Sequence, residues 1–220
     1  MIVWYGHACF KVDNVLIDPF VPNPLCNLPF DEIMEGVDVI AVTHGHSDHL
    51  GNAETLSKSY NVPVVAIYEI ACYLAERGVN AEGMNIGGSI KINGAKLTMV
   101  KAEHSSDINL NVSGGVAAGY IVNDRVYHTG DTGLFGDMEL IGELYSPEVV
   151  LLPIGGRYTM GIEEALTALE LIYPEVVIPM HYNTFPQIQV TEEELKAFVK
   201  GAESLGVEVI IPEIGEPLDL

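Results

Sequence analysis

Residues 37–49 read Val37-Asp38-Val39-Ile40-Ala41-Val42-Thr43-His44-Gly45-His46-Ser47-Asp48-His49. The run from Val37 to Val42 is almost wholly apolar and β-branched, the pattern of a strand buried on both faces. It delivers its end directly to His44, and loops at strand ends are where α/β folds place their ligands. His44 and His46 are two apart, so in an extended segment they point the same way and can grip one ion. Asp48 and His49 fall where the chain turns toward a helix expected after His49, and they face another direction. One short stretch can therefore serve two adjacent ions. A random chain with these 7 histidines among 220 residues would carry H-x-H-x-D-H roughly 3 times in 10,000, so a solvated polar loop is a poor account of it.

Outward from this segment, the first quarter reads as strands over 2–5, 9–12 and 15–17. Asp18-Pro19-Phe20-Val21-Pro22-Asn23-Pro24 follows as an ordered, proline-rich loop. A strand is expected over 62–66 and a helix over 68–77, ending before Gly78. Strands follow over 89–92, 97–101, 116–122 and 126–128, the last two flanking the hairpin signal Asn123-Asp124-Arg125. The final third alternates. Strands over 149–152, 176–179 and 207–211 are separated by a helix with Ile162, Ala165, Leu166 and Leu169 on one face and by a helix opened by the capping box Thr191/Glu194. Each half carries strands first and interleaved helices later, without a residue-level repeat. The expectation is an α/β (α+β) fold: one domain over 1–220, a four-layer αββα sandwich.

Composition bounds the partners. Hydrophobic residues make up 48% and charged residues 19%, enough apolar surface for a sizeable core. The net charge is -21 with no basic run, which disfavours nucleic acid because phosphate contacts need cations. No apolar stretch reaches the roughly 18 residues of a membrane span, and the start lacks a secretory pattern. A cytoplasmic protein with a small-molecule substrate is expected; a homo-oligomer stays open. Cys9, Cys26 and Cys72 are odd in number and show no C-x-x-C spacing, so they read as buried small hydrophobes.

Four ligands from one loop do not complete two sites, since a catalytic ion takes about three protein ligands and leaves a position for water. The remaining histidines are His7, His104, His128 and His181. His104, Asp131 (within Gly130-Asp131-Thr132) and His181 each lie just beyond an expected strand, as His44 does. His7 is read equally as structural or as a catalytic acid, and His128 as structural or supporting. Gly155-Gly156-Arg157-Tyr158-Thr159-Met160-Gly161 precedes a helix. It is either a plain helix-start turn or a loop whose backbone N–H groups and Arg157 hold an anionic substrate.

The ordered set HGHSDH, a lone His, G-D-T and a His after a strand resembles the metallo-β-lactamase superfamily along the whole chain. The resemblance implies that His44, His46 and His104 hold one metal, that Asp48, His49 and His181 hold a second, and that Asp131 bridges both. The segments Trp4-Tyr5-Gly6-His7-Ala8 and Ile178-Pro179-Met180-His181-Tyr182-Asn183-Thr184 resemble small metal-dependent hydrolases related to ascorbate-6-phosphate lactonase. In that group substrate would be contacted at the 155–161 loop, near Arg157 and Tyr158; Tyr182, Asn183 and Thr184 are expected to line the same pocket. True β-lactamases of the superfamily lack an acid at the Asp131 point, and flavo-diiron members carry a carboxylate where His46 stands. Persulfide-type iron dioxygenases share the ligation, so the ligands alone do not separate them. The expectation is a hydrolase with two divalent ions, zinc first with Mn or Fe as alternatives. A hydroxide formed between the ions attacks a phosphoester, lactone or other ester-type bond, Asp48 steers it, and His7 is a second catalytic candidate. An iron-dependent oxygenase and a non-enzymatic metal or ligand sensor are the alternatives.

Overall fold

Short β-branched runs set the strands, and turn residues in the left-handed region, Asp13, Asn93, Asn123 and Asp124 among them, set the hairpins. The computed structural model describes residues 1–220. Its strands are β1 Ile2–Trp4, β2 Phe10–Val12, β3 Val15–Ile17, β4 Val39–Ala41, β5 Val64–Ile67, β6 Ala81–Met84 and β7 Ser89–Ile92. They continue with β8 Ala95–Lys101, β9 Ala118–Val122, β10 Val126–His128, β11 Val149–Pro153, β12 Val176–Met180, β13 Glu208–Val209 and β14 Pro217–Leu218. Two seven-stranded sheets result, in the orders β14-β1-β2-β3-β4-β5-β6 and β13-β12-β11-β10-β9-β8-β7. In each sheet an antiparallel part (β14 to β3; β7 to β10) continues into a parallel part (β3 to β6; β10 to β13). Parallel strands need crossovers, so this is where the helices lie. Tyr68–Ala75 packs on β5 and β6; Met138–Tyr145, Ile162–Ile172 and Glu192–Ser204 lie side by side along the second sheet. The architecture is the expected αββα sandwich.

One apolar cluster joins the sheets, with Ile2, Phe10, Leu16 and Ile40 from the first and Leu97, Tyr120, Val150 and Ile178 from the second, all fully buried. Polar links tie the layers where the site forms. Tyr120 on β9 donates its hydroxyl to Val42 O at 3.0 Å, and Ala118 N donates to Thr43 O at 3.0 Å. His128 donates Nε2–H to Ala8 O at 2.8 Å and accepts from Gly130 N at 3.1 Å, so both ring nitrogens are satisfied and its role is structural.

Several boundaries differ from the sequence reading. The helix expected after His49 begins earlier, as one turn over Ser47–Leu50 with His46 at its N-cap, and resumes at Ala53–Tyr60. The final strand shrinks to Glu208–Val209, because only the stretch beside β12 finds a partner. Helices Phe30–Ile33 and Met138–Tyr145 and strands β6 and β14 were not anticipated. In β6, Ala-Glu-Gly-Met has low strand propensity, and pairing with β5 imposes the conformation. The capping box at Thr191 forms as expected: Glu194 N donates to Thr191 Oγ1 at 3.2 Å and Thr191 N to Glu194 Oε2 at 2.8 Å.

Helix packing here makes a sign-reversing prediction. Alanine in a helix interior normally stabilises over glycine by about 1 kcal/mol. A Cβ at Gly142, within Met138–Tyr145, would stand 2.6 Å from Ile172 O and 2.9 Å from Ile172 Cα, backbone atoms of the neighbouring helix. Gly142→Ala should therefore lose about 1–3 kcal/mol in urea unfolding. A Cβ at Gly201 would meet only the rotatable Leu166 side chain, its methyls at 2.5 and 2.7 Å and its Cγ at 3.2 Å. Gly201→Ala should lose much less. A Gly142→Ala protein as stable as wild type would contradict this packing.

Candidate metal centre

The site lies where strand ends of both sheets meet. His7 follows β1, Asp18 follows β3, His44 follows β4, His104 follows β8, Asp131 follows β10 and His181 follows β12. A main-chain bond from His181 N to His7 O, 3.1 Å, joins the two sheets at this point, and Trp4 Nε1 donates to the same carbonyl at 3.0 Å. His7 and His181 both sit in the left-handed region, φ +55° and +53°. Such non-glycine conformations cost on the order of 1–3 kcal/mol each and persist where surrounding contacts enforce them.

Hydrogen-bond partners assign the imidazole tautomers. Thr43 donates its N–H to Asp18 Oδ1 at 2.8 Å and its hydroxyl to Asp18 Oδ2 at 2.6 Å. With that proton committed, Thr43 Oγ1 accepts from His44 Nδ1–H at 3.0 Å, leaving a lone pair on His44 Nε2. That atom lies 3.0 Å from His46 Nδ1, while His46 Nε2 stands 3.3 Å from Ser105 Oγ. Two facing nitrogen lone pairs at this separation repel unless a proton or cation joins them. His49 donates Nδ1–H to Asp18 Oδ2 at 2.7 Å, leaving its Nε2 free as well. The fully buried Asp18 thus orients one histidine directly and another through Thr43. Sequence reasoning missed it. Its signal was an acid set between a strand end and Pro19, which read as a turn.

Asp131 is the hub. It is 3% exposed, and its carboxylate stands 3.0 Å from His181 Nε2, 3.3 Å from His49 Nε2 and 3.5 Å from His104 Nε2. None of these approaches is aligned as a hydrogen bond. His49 Nε2, Asp131 Oδ1 and both ring nitrogens of His181 are buried without a partner. Buried polar atoms without partners cost about 1–3 kcal/mol each, and His49 Nε2, His181 Nε2 and Asp131 Oδ1 are of the donor types that could hold a cation. Donor atoms of His44, His46 and His104 lie within 4.8 Å of one another, as do those of His7, Asp48, His49 and His181. Asp131 reaches both groups.

The charges are coherent with cation binding. Burial lowers the pKa of His44 well below its ordinary value, aided by the neighbouring His49, and burial also lowers that of His104. Burial opposes the charged form of His49 too, but Asp131 and Asp18 outweigh it and its pKa is raised well above the ordinary value. Burial likewise opposes ionisation of Asp131, yet His181 and His49 hold its carboxyl well below the usual range. His7 is pushed down to about 4 by burial, against the pull of Asp48, and is therefore neutral. It lies 3.1 Å from Asp48 Oδ2 and 3.0 Å from Thr184 Oγ1. The neutral ring donates Nε2–H to Asp48 and accepts from Thr184.

The residues expected to meet substrate are placed less uniformly. Arg157 and Tyr158 are exposed at the tip of a loop, the guanidinium 5.3 Å from the Tyr158 ring centroid. The base of that loop is fixed by Met160 N donating to Thr132 O at 3.1 Å. Asn183 is exposed, but its Oδ1 accepts from Val190 N at 2.7 Å and holds its own loop. Thr184, expected to line the pocket, is buried and bonded to His7.

The β-lactamase superfamily domain matches residues 13–182 of this chain. A UPF0173 metal-dependent hydrolase of Methanocaldococcus jannaschii is 79% identical over all of both chains, and one of Methanopyrus kandleri is 52% identical over 98% of this chain and 97% of its own. Among solved structures, a metallo hydrolase from the archaeon Ignicoccus hospitalis is 40% identical with TM-score 0.88, covering 98% of this chain and 95% of that one. An isothiocyanate hydrolase from Delia radicum gut bacteria, 19% identical with TM-score 0.77 over 100% and 98% of the two chains, shares the fold. The chain belongs to the β-lactamase superfamily, within its UPF0173 metal-dependent hydrolase family.

Proposed function

We propose that the protein is a metal-dependent hydrolase with a two-ion centre, acting on an ester-type bond (phosphoester, lactone or other ester) of a small substrate. The observation that carries this reading is the convergence on Asp131 of histidines from both donor groups, with unpartnered atoms facing inward. The names of the relatives support it. His44, His46 and His104 would hold one ion, Asp48, His49 and His181 the other, with Asp131 between them. Zinc suits the nitrogen-rich set, and Mn or Fe would also fit it. Bound divalent ions would supply Lewis acidity, lowering the pKa of a water and stabilising charge that develops on substrate oxygen.

The chain's own residues do the rest. Asp18 and Thr43 fix the tautomers of His49 and His44, so that lone pairs rather than N–H groups face the centre. Asp48, held ionised by His7 and His49 against the effect of burial, stays an acceptor that would steer the attacking water by hydrogen bonding. His7 keeps Asp48 in place by donating Nε2–H to it and is itself anchored by Thr184. Arg157 and Tyr158, exposed on a loop tied at its base to Thr132, are the proposed substrate contacts; Asn183 and Thr184 contribute by shaping the 181–190 loop.

Two outcomes follow. Asp131→Ala should lose metal and at least about 100-fold in rate, whereas His7→Ala should keep its metal and lose less. Elemental analysis alongside kcat checks this, and equal losses with metal retained in both would refute the hub assignment. The rate should also fall on acidification from about pH 7 to pH 5. Five proposed ligands are histidines that must be neutral, and a free histidine titrates near 6.5. Burial keeps His44 and His104 neutral below that value, so they resist longest. His49 goes the other way: without metal it is held protonated by Asp131 and Asp18, so an ion must displace that proton, which is harder as pH falls. Rate and metal content should decline together while circular dichroism stays constant. A flat rate down to about pH 5 with full metal would contradict the mechanism.

A further inference from the structure

A cleft of about 480 Å³ opens beside the metal centre, between His46, Ser47 and Asp48 on one wall and Asp107, Ile108, Asn109 and Leu110 on the other. Its far wall is a loop that follows His104. The base of this loop is fastened to the metal-binding segment: Gly45 N donates to Ser106 Oγ at 3.2 Å, and that hydroxyl donates to Gly114 O at 3.0 Å. Ile108 packs against Gly45, where a Cβ would stand 3.0 Å from Ile108 Cγ1. The tip closes on itself, with Ile108 N donating to Val112 O at 2.9 Å and Asn111 N to Asn109 Oδ1 at 3.0 Å. This turn carries Leu110 fully into solvent, at 102% exposure. A leucine so placed gains nothing from the fold and would gain by burial against an apolar ligand.

The charges lining the cleft are all negative. Asp48 and Asp107 line it, and no lysine, arginine or other cationic residue does. With Asp48 committed to the metal centre, an anionic group extending along the cleft would meet Asp107 with no lysine or arginine beside it. An uncharged hydrocarbon chain would meet Ile108 and Leu110. Resting on the hydrolase reading above, we propose that this cleft is the acyl subsite: the substrate is a carboxylic ester, thioester or lactone whose acyl chain is apolar and lies between Asp48 and Leu110. Leu110 and Ile108 are then specificity-determining residues that grip the chain while the carbonyl sits at the centre. A phosphoester would also seat its reacting group at the centre, so the lining charge acts only on the group that extends along the cleft, and the kinetic arm of the test separates the two bond types.

The test uses the metal-loaded protein and straight-chain hydroxamic acids from acetohydroxamic to octanohydroxamic acid, with affinity read by titration calorimetry. The metal-binding head is constant and only the chain varies. Affinity should rise about two- to fourfold per methylene over the first several carbons. Leu110→Asp should flatten that slope, while Leu144→Asp, on the exposed face of a distant helix, should leave it. In a parallel kinetic arm, kcat/KM should climb from 4-nitrophenyl acetate to the hexanoate, and bis(4-nitrophenyl) phosphate should be the poorer substrate. A slope of zero in the wild type, an unaltered slope in a folded Leu110→Asp protein, or a preference for the phosphodiester would overturn the acyl subsite while leaving the metal reading intact. Failure of every hydroxamic acid to bind would instead overturn the metal reading, and the subsite with it.

Discussion

The buried carboxylate of Asp131 is the constraint around which the rest is arranged. An ionised group that is 3% exposed costs several kcal/mol of desolvation unless opposite charge compensates it. Three imidazoles approach it within 3.5 Å, yet none is aligned to hydrogen-bond, and Nε2 of His49 and of His181 face it without partners. Protein atoms alone leave this arrangement unsatisfied. Divalent ions would satisfy it, and an ion entering would displace the extra proton that Asp131 and Asp18 favour on His49.

The fold exists to hold those donors still. Each sheet turns from antiparallel to parallel, so the ends of β3, β4, β10 and β12 all open toward the same rim. The layers are locked there by polar contacts as well as apolar packing: Tyr120 to Val42, Ala118 to Thr43, His128 to Ala8 and His181 to His7. Asp18 then passes that rigidity to the ligand rings. Its position is defined by β3 on one side and Thr43 after β4 on the other, so strand pairing itself sets the direction of two imidazoles.

Much of this was legible in the amino-acid sequence, and the exceptions share a cause. Val15–Ile17, Ser89–Ile92 and Val126–His128 match their expected bounds because β-branched runs flanked by turn residues leave little choice. The HGHSDH segment was legible because its residue types at that spacing have a single common use. Strand β6 and Asp18 were not, because both are defined by a partner distant in the chain: β6 by pairing with β5, and Asp18 by His49 and Thr43. Thr184 reads as a pocket residue in sequence, but the left-handed turn at His181 and Asn183 carries it under His7. Leu110 gave no signal, since an isolated leucine in a polar loop is ordinary until its full exposure beside the centre is known.

X-ray absorption at the zinc edge, on protein loaded with two equivalents of zinc, tests the two-ion centre most directly. The account predicts a coordination shell of nitrogen and oxygen only, with the outer-shell pattern of imidazole and a zinc–zinc vector at about 3.5–4 Å. A sulfur shell at about 2.3 Å, placing zinc on Cys9, Cys26 or Cys72, would contradict it. So would binding that saturates at one ion with no metal–metal vector.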